Sequence, residues 1–146
     1  MTRLSPSLRN LITKHLFLNV ILEHPVFGGI SEIYDFILEN IEPRQFSAEQ
    51  FIIKEGQKAT HMYILEQGTC EILVKGQINR RDNIVREIGH GTIFGEIALI
   101  YGTRRTASVR SKESCMVGAL SEENFNLLIR YFPEIMDRLK KEVRKY

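Results

Sequence analysis

The residues from Phe94 to Val109 combine a Gly-Glu pair, a short apolar helical run and an arginine that leads into small, β-prone residues. Backbone N–H groups at the start of a helix are available to an anion, and Gly95 lets the backbone approach it closely. The guanidinium of Arg105 can hold a phosphate through two parallel hydrogen bonds. Ionised Glu96 can only accept hydrogen bonds, which suits a donor such as a ribose 2′-OH. This spacing therefore favours a ligand with one phosphate and one sugar hydroxyl.

Each of these residues also has a purely structural explanation. An arginine at the start of a strand is usually a surface charge, and a glutamate in a first helical turn interacts favourably with the helix dipole. A single segment, however, holds Glu96 and Arg105 together with Gly95 and the small residues Ala98 and Ala107. That combination favours a binding site over separate structural roles.

Length and composition favour one ordinary soluble domain. The chain has 146 residues, of which 43% are hydrophobic and 26% charged, and its net charge of +2 is too small to indicate nucleic acid. No apolar run reaches the roughly 18 residues that a spanning helix needs, and the N-terminus does not read as a signal peptide. The two cysteines, Cys70 and Cys115, have no metal-ligand spacing, which indicates reduced core thiols.

Helical patterns flank a β-rich middle. A first helix begins at Ser5-Pro6, with Ser5 as N-cap, and a second runs from Ile30 to near Pro43. A third opens at Ser121 and ends at Phe132-Pro133. A last helix follows, with Ile135, Leu139 and Val143 on one narrow apolar stripe.

From Phe46 onward, short β-rich runs alternate with glycine or polar turns. The predicted strands are Phe51–Lys54, Met62–Leu65, Thr69–Val74, Ile84–Ile88, Thr106–Arg110 and Met116–Leu120. The expected fold class is α+β. It comprises an antiparallel β-roll or jelly-roll barrel with N-terminal helices, a short helix after Phe94 and two C-terminal helices.

The segment Phe94–Val109 resembles the phosphate-binding cassette of cyclic-nucleotide-binding domains, F-G-E-(I/L)-A-L-(I/L)…R-(T/A)-A, without a gap. Arg104–Arg110 and Asn124–Asn126 are similar to the C-terminal domain of cyclic-nucleotide-gated and hyperpolarisation-activated channels. Leu4–Arg9 resembles the end of the C-linker, which joins the pore to the binding domain in those channels. The resemblance implies two segments, 1–24 as the end of a C-linker and 25–146 as the cyclic-nucleotide-binding domain.

The same resemblance implies a ligand, a site and a partner. The ligand is cAMP or cGMP, between which Thr106 does not decide, and no cofactor is implied. The implied ligand-binding residues are Gly95, Glu96, Ile97, Ala98, Arg105, Thr106, Ala107, Ile72 and Val85. The implied partner is a membrane channel domain in cis before residue 1, tetrameric in the full-length protein. The fragment would be the cytoplasmic part of that membrane protein, with its last helix moving as a lid; simple packing of that helix on the barrel is the alternative.

Catalysis has little support in the sequence, because no nucleophile elbow, H-E-x-x-H motif or paired carboxylates occur. We therefore expect a non-catalytic sensor that regulates an attached channel. The main alternative is a regulatory domain of a cyclic-nucleotide-dependent kinase or another cyclic-nucleotide-controlled effector. A bacterial transcription regulator would need a helix-turn-helix after the last helix, and a cupin-like enzyme would need clustered histidine ligands.

Overall fold

A computed structural model describes residues 5–144, which form five helices and eight strands. The helices are α1 (Pro6–Glu23), α2 (Ser31–Asn40), α3 (Glu96–Tyr101), α4 (Glu122–Tyr131) and α5 (Glu134–Arg144). The strands are β1 (Glu42–Phe46), β2 (Phe51–Ile53), β3 (His61–Gln67), β4 (Cys70–Lys75), β5 (Asp82–Ile88), β6 (Ile93–Phe94), β7 (Ser108–Ser111) and β8 (Cys115–Ser121). None of these helices is long and apolar enough to cross a membrane.

Two helix starts follow the capping rules that the sequence predicts. The Ser5 hydroxyl accepts a hydrogen bond from the Leu8 amide at 3.2 Å, and proline occupies the first helical position. The Ser121 hydroxyl likewise accepts from the Asn124 amide at 3.1 Å, so α4 begins where predicted.

The strands of residues 5–144 form two antiparallel four-stranded sheets, which confirms the predicted fold class. One sheet has the order β1-β8-β3-β6 and the other β2-β7-β4-β5. The two sheets stay separate, so the architecture is a jelly roll and not a closed barrel.

The sequence patterns did not predict strands β1 and β6, and they placed the end of α2 and the start of β7 a few residues from where these lie. Helix α2 ends at Asn40, and Pro43, taken as the stop signal of that helix, lies inside β1. Proline is tolerated there because β1 is at the edge of its sheet, where one side needs no donor. Strand β6 has only two residues, too few to show alternation. Strand β7 begins at Ser108, so Thr106 belongs to the preceding loop.

Alternating residues of β3 divide the core into two layers. Met62 and Ile64 pack against the helices, whereas Tyr63 and Leu65 face the space between the sheets. This division follows from the two-residue period of a strand. The sheet containing β3 therefore supports the helical layer on one face and the inter-sheet layer on the other.

The first and last helices share the helical layer. Phe17 and Ile21 of α1 and Ile135 and Leu139 of α5 are all buried in one cluster with α2 and α4. Val143, the third residue of the predicted stripe, is half-buried. Helix α5 is thus packed on the helical layer in this structure. The division of the chain at residue 24 stays a prediction.

Candidate functional site

The turn between β6 and α3 requires a glycine. Gly95 has φ 82°, in the left-handed region that side chains other than glycine rarely adopt. A Cβ atom at this position would lie 2.9 Å from Ile53 Cδ1 and 3.0 Å from Arg105 Nη1. Both the backbone conformation and the neighbouring side chains therefore disfavour larger residues at this position. The first amides of α3 follow directly, before intrahelical i→i−4 bonding begins.

Arg105 lies beneath this turn and is held from both its backbone and its side chain. Its guanidinium donates to the carbonyl of Gly95 and to the carbonyl of His61, each at 2.5 Å. Its amide donates to the Gln57 carbonyl at 2.9 Å, and its own carbonyl accepts from Gly56 at 2.8 Å. The residue is only 7% exposed, and burial lowers its pKa. The guanidinium is nevertheless a fixed cation, because arginine stays protonated in proteins.

Glu96 is the first residue of α3, and its carboxyl group is buried with one unsatisfied oxygen. The residue is 6% exposed, and its Oε2 atom has no hydrogen-bond partner. Burial raises the pKa of this carboxyl to about 7, although its own backbone N–H and the Arg105 guanidinium act in the opposite direction. An unpaired buried oxygen is costly, so a hydroxyl donor at this position would lower the free energy of the site.

These residues open onto a cavity of about 250 Å³, which sixteen of the described residues line. All nine residues that the sequence analysis assigns to the ligand are among them: Ile72, Val85, Gly95, Glu96, Ile97, Ala98, Arg105, Thr106 and Ala107. The structure thus brings the predicted set together, while the role of each residue toward a ligand stays a prediction. Apolar side chains dominate the lining, as in most small-molecule pockets.

Sequence reasoning missed the remaining seven lining residues. Besides Thr92, they are Ile53, Arg86, Ile88, Ile93, Phe94 and Val109. Ile72 of β4 pairs with Val109 on one side and with Arg86 on the other. Directly paired residues point to the same face of a sheet, so Ile72 brings both neighbours to the pocket. Strand pairing was the missing information, since the pattern of a single strand does not reveal its register.

Helix α5 lies behind α3 and not over this cavity. None of its described residues lines the pocket. Leu139 and Glu142 instead meet Glu96 across a separate cavity of about 10 Å³. Arg138 Nη1 donates to the carbonyls of Gly28 at 2.8 Å and Val26 at 3.2 Å, which fastens α5 to the turn after α1.

A jelly roll with an apolar pocket, a glycine turn and a buried arginine has the geometry of a domain suited to a small anionic molecule. The chain belongs to the cyclic nucleotide-binding domain family, whose model matches residues 43–131.

The chain is 30% identical over 131 residues to the potassium/sodium hyperpolarization-activated cyclic nucleotide-gated channel 4 of Oryctolagus cuniculus. That match covers 89% of this chain but 11% of the channel, so the chain spans about a tenth of that relative's length.

Two solved structures show the same fold. The regulatory domain of Toxoplasma gondii PKA with cAMP superposes with a TM-score of 0.81 at 23% identity, covering 96% of this chain and 51% of that one. The catabolite activator protein of Thermus thermophilus gives a TM-score of 0.75 at 24% identity, covering 83% and 57%.

Proposed function

We propose that this chain is a non-catalytic sensor domain that binds a cyclic nucleotide and passes the binding event to an attached effector. The observation that supports this most is the buried Arg105 guanidinium beside the Gly95 turn, with the unpaired Glu96 oxygen in the same pocket. A cation and an unsatisfied acceptor in one apolar cavity match a ligand with an anionic phosphate and a hydroxyl.

Each lining residue has a role in this proposal. Arg105 and the first amides of α3 bind the cyclic phosphate, and the absence of a side chain at Gly95 gives the phosphate room. Glu96 accepts from the ribose 2′-OH. Ile72 and Val85 contact the purine.

Four further residues complete the proposed site. Ile97 and Ala98 form the first turn of α3 beside the phosphate and ribose. Thr106 contacts the phosphate or the base, depending on the ligand conformation. Ala107 keeps the entrance to β7 narrow without filling the space that the ligand needs.

Two measurements test binding: calorimetric titration with cAMP and cGMP, and the shift in the thermal midpoint of unfolding when each nucleotide is added. A ligand at 100 times its Kd stabilises the native state by about 2.7 kcal/mol. We expect saturable binding, and Arg105→Ala should weaken it by about 1.5–3 kcal/mol through the lost charge-assisted contact. Arg104→Ala is the matched control, because Arg104 is the exposed neighbour that donates to the Gly56 carbonyl. Failure of both nucleotides to bind at millimolar concentration would refute the proposal.

We further propose that the attached effector is an ion channel in a membrane, preceding residue 1, which would make this chain the cytoplasmic part of a tetrameric protein. The channel relative, aligned over 89% of the chain, supports this choice. A cyclic-nucleotide-dependent kinase is the second candidate, and the fold shared with the Toxoplasma gondii regulatory domain favours it. Determining which domain is attached to this chain in the full-length protein would separate the two.

Movement of α5 is the proposed output. Bound nucleotide would draw α5 away from the turn after α1 and toward the purine, with Phe132-Pro133 as the hinge. The ligand can drive this shift only through contacts that it makes when α5 lies over the purine and lacks when α5 lies on that turn. Spin labels at Lys58 and Lys141 should then report a changed distance on adding nucleotide. A label pair at Lys58 and Glu113, both outside α5, should not change. An unaltered Lys58–Lys141 distance at saturating ligand would show that α5 is not the lid.

A further inference from the structure

The hairpin that joins β4 to β5 ends in a tip that projects into solvent. Every residue from Gln77 to Asp82 is exposed, and Ile78 is 100% exposed. Glycine, proline and small polar residues dominate turns, so an isoleucine at the end of this one is unusual. A single exposed apolar side chain is nevertheless common on protein surfaces. What the tip presents beside Ile78 therefore decides whether it is a contact surface.

The asparagines of this hairpin are turned toward its own backbone. The Asn79 side chain accepts from the Arg81 amide at 3.1 Å, and the Asn83 side chain donates to the Arg81 carbonyl at 3.1 Å. The Gly76 amide donates to the same carbonyl at 2.9 Å. A Cβ on Gly76 would lie 2.5 Å from Asn79 Oδ1, so the glycine makes room for this arrangement. The hairpin uses its polar side chains internally and leaves Ile78 and the neighbouring cations facing outward.

Three cations flank Ile78 in the hairpin: Lys75, Arg80 and Arg81. All three are exposed, and none forms an ion pair with another described residue. Asp82, opposite Lys75 in the strand register, is the one acid between positions 75 and 83, so the tip stays positively charged. Arg80 has φ 57°, in the left-handed region where a residue with a side chain costs stability that glycine would not.

The shape and the charge of this tip match the surface of a bilayer. A folded protein would need a groove to receive a protruding side chain, whereas the interface of a bilayer admits an apolar side chain without one. Each lysine or arginine close to anionic lipid makes a favourable electrostatic contribution. An apolar tip flanked by cations thus fits anionic lipid better than it fits an acidic protein surface.

We propose that the β4–β5 hairpin docks on an anionic membrane surface, with Ile78 inserted below the headgroups and its three flanking cations against the lipid phosphates. One apolar side chain and three cations give weak, reversible binding, so this contact orients the domain and does not anchor it. None of residues 75–83 lines the nucleotide cavity. Docking therefore needs no nucleotide and uses a surface separate from the proposed ligand site.

Vesicle flotation of the unaltered chain, without nucleotide, tests the docking. The vesicles contain either phosphatidylcholine alone or equal parts of phosphatidylcholine and phosphatidylserine. We expect binding to the anionic vesicles only, and added salt should weaken it because ions screen exposed charges. Absence of binding to the anionic vesicles at low salt overturns the proposal, and so does equal binding to both kinds of vesicle.

Paired charge variants assign the contact to the hairpin. The double variant Arg80→Gln with Arg81→Gln should bind the anionic vesicles about 25-fold more weakly, because each cation near such a surface contributes about fivefold. Lys58→Gln with Lys141→Gln removes the same total charge from exposed lysines outside the hairpin and should change binding much less. Equal losses in the two double variants would mean that only the net charge matters, and the hairpin would not be the docking surface.

The apolar contact is tested by removing and by replacing Ile78. Ile78→Ser should weaken binding about tenfold through the lost burial of the side chain. Leu11→Ser is the matched control, because Leu11 of α1 is 65% exposed and lies outside the hairpin. If Leu11→Ser abolishes binding and Ile78→Ser does not, α1 is the membrane contact and the proposal is wrong.

A fluorescent variant reports the position of the tip directly. The chain contains no tryptophan, so Ile78→Trp places a single indole at the end of the hairpin. Anionic vesicles should shift its emission to shorter wavelength, and brominated lipids should quench it. An unshifted spectrum while the chain is bound to vesicles overturns the proposal. Nucleotide titration of Ile78→Ser should match that of the unaltered chain, so failure of membrane docking and failure of nucleotide binding are separate results.

Discussion

The guanidinium of Arg105 donates to the carbonyl of Gly95 and lies so close to the glycine that a side chain there would crowd it. The Nη1 atom is 3.0 Å from where a Cβ at position 95 would lie. The two residues are ten positions apart in the chain, yet the position of each side of this contact depends on the other residue.

Gly95→Ala should therefore lower both stability and affinity. The positive φ alone costs about 1 kcal/mol for a residue with a side chain, and the contacts with Ile53 and Arg105 add to that cost. Gly91→Ala is a matched control, because Gly91 has φ 87° but no atom within 4 Å of its added Cβ. Urea unfolding should show the larger loss for Gly95→Ala, and equal losses would mean that the neighbouring side chains relax freely.

The sequence predicts those residues of the site that lie close together along the chain, and it does not predict those that are brought to the site by strand pairing. Gly95, Glu96 and Arg105 belong to one continuous segment, so their types and spacing were sufficient to predict that they share a pocket. Arg86 comes to that pocket only through pairing of β5 with β4, and a single strand pattern contains no information on register.

The fold shows the same limit at Pro43. Helix signals before it predicted α2, but the first predicted strand begins only at Phe51, so β1 was not predicted. Its place in edge strand β1 depends on β8, which lies more than 70 residues further along the chain. A local pattern could not distinguish a helix stop from an edge-strand proline.

The contribution of Glu96 to the stability of the free protein should fall as pH rises from about 4.5 to about 7. Burial raises the folded-state pKa of Glu96 from 4.5 to about 7, so the folded chain binds the proton more tightly than the unfolded chain does. This stabilisation, about 3 kcal/mol, is fully present at a pH below the pKa that Glu96 has in the unfolded chain. It is lost as the pH rises through the pKa that Glu96 has in the folded chain. Urea unfolding at pH 5 and pH 8 measures it. Glu96→Gln cannot titrate and should lose this part of the pH dependence; an unchanged profile would assign it to another group.

Glu96 should also distinguish ribose from deoxyribose in the bound ligand. If its carboxylate accepts from the 2′-OH, Glu96→Ala should weaken a cyclic ribonucleotide by about 1.5–3 kcal/mol, as for other hydrogen bonds to charged groups. The 2′-deoxy analogue lacks that donor, so its affinity should hardly change. Calorimetry of both ligands with both proteins completes a double-mutant cycle. Equal losses for the two ligands would show that Glu96 does not serve the 2′-OH.

The thiols of Cys70 and Cys115 should be inert in the native protein. Their sulfur atoms are 3.6 Å apart between the two sheets, and both residues are buried and unbridged. Burial, followed by the neighbouring thiol, raises the pKa of Cys70 to about 12, so the reactive thiolate is scarce. A thiol reagent should label the two cysteines only to the extent that urea has unfolded the whole chain. Lys58→Cys supplies an exposed thiol as control, and rapid native labelling of the unaltered chain would contradict the buried arrangement.

Arg138 should control how firmly α5 is held. Its hydrogen bonds to the Gly28 and Val26 carbonyls join α5 to the turn after α1. Arg138→Ala removes both and should destabilise this attachment by about 1.5–3 kcal/mol, because the donor is charged. Hydrogen exchange should then quicken at the amides of α5 while β3 keeps its protection. Lys141→Ala, on the exposed side of the same helix, should leave exchange unchanged. If β3 and α5 lose protection together in Arg138→Ala, α5 does not open as a separate unit, and the proposed movement of this helix has no local hinge to use.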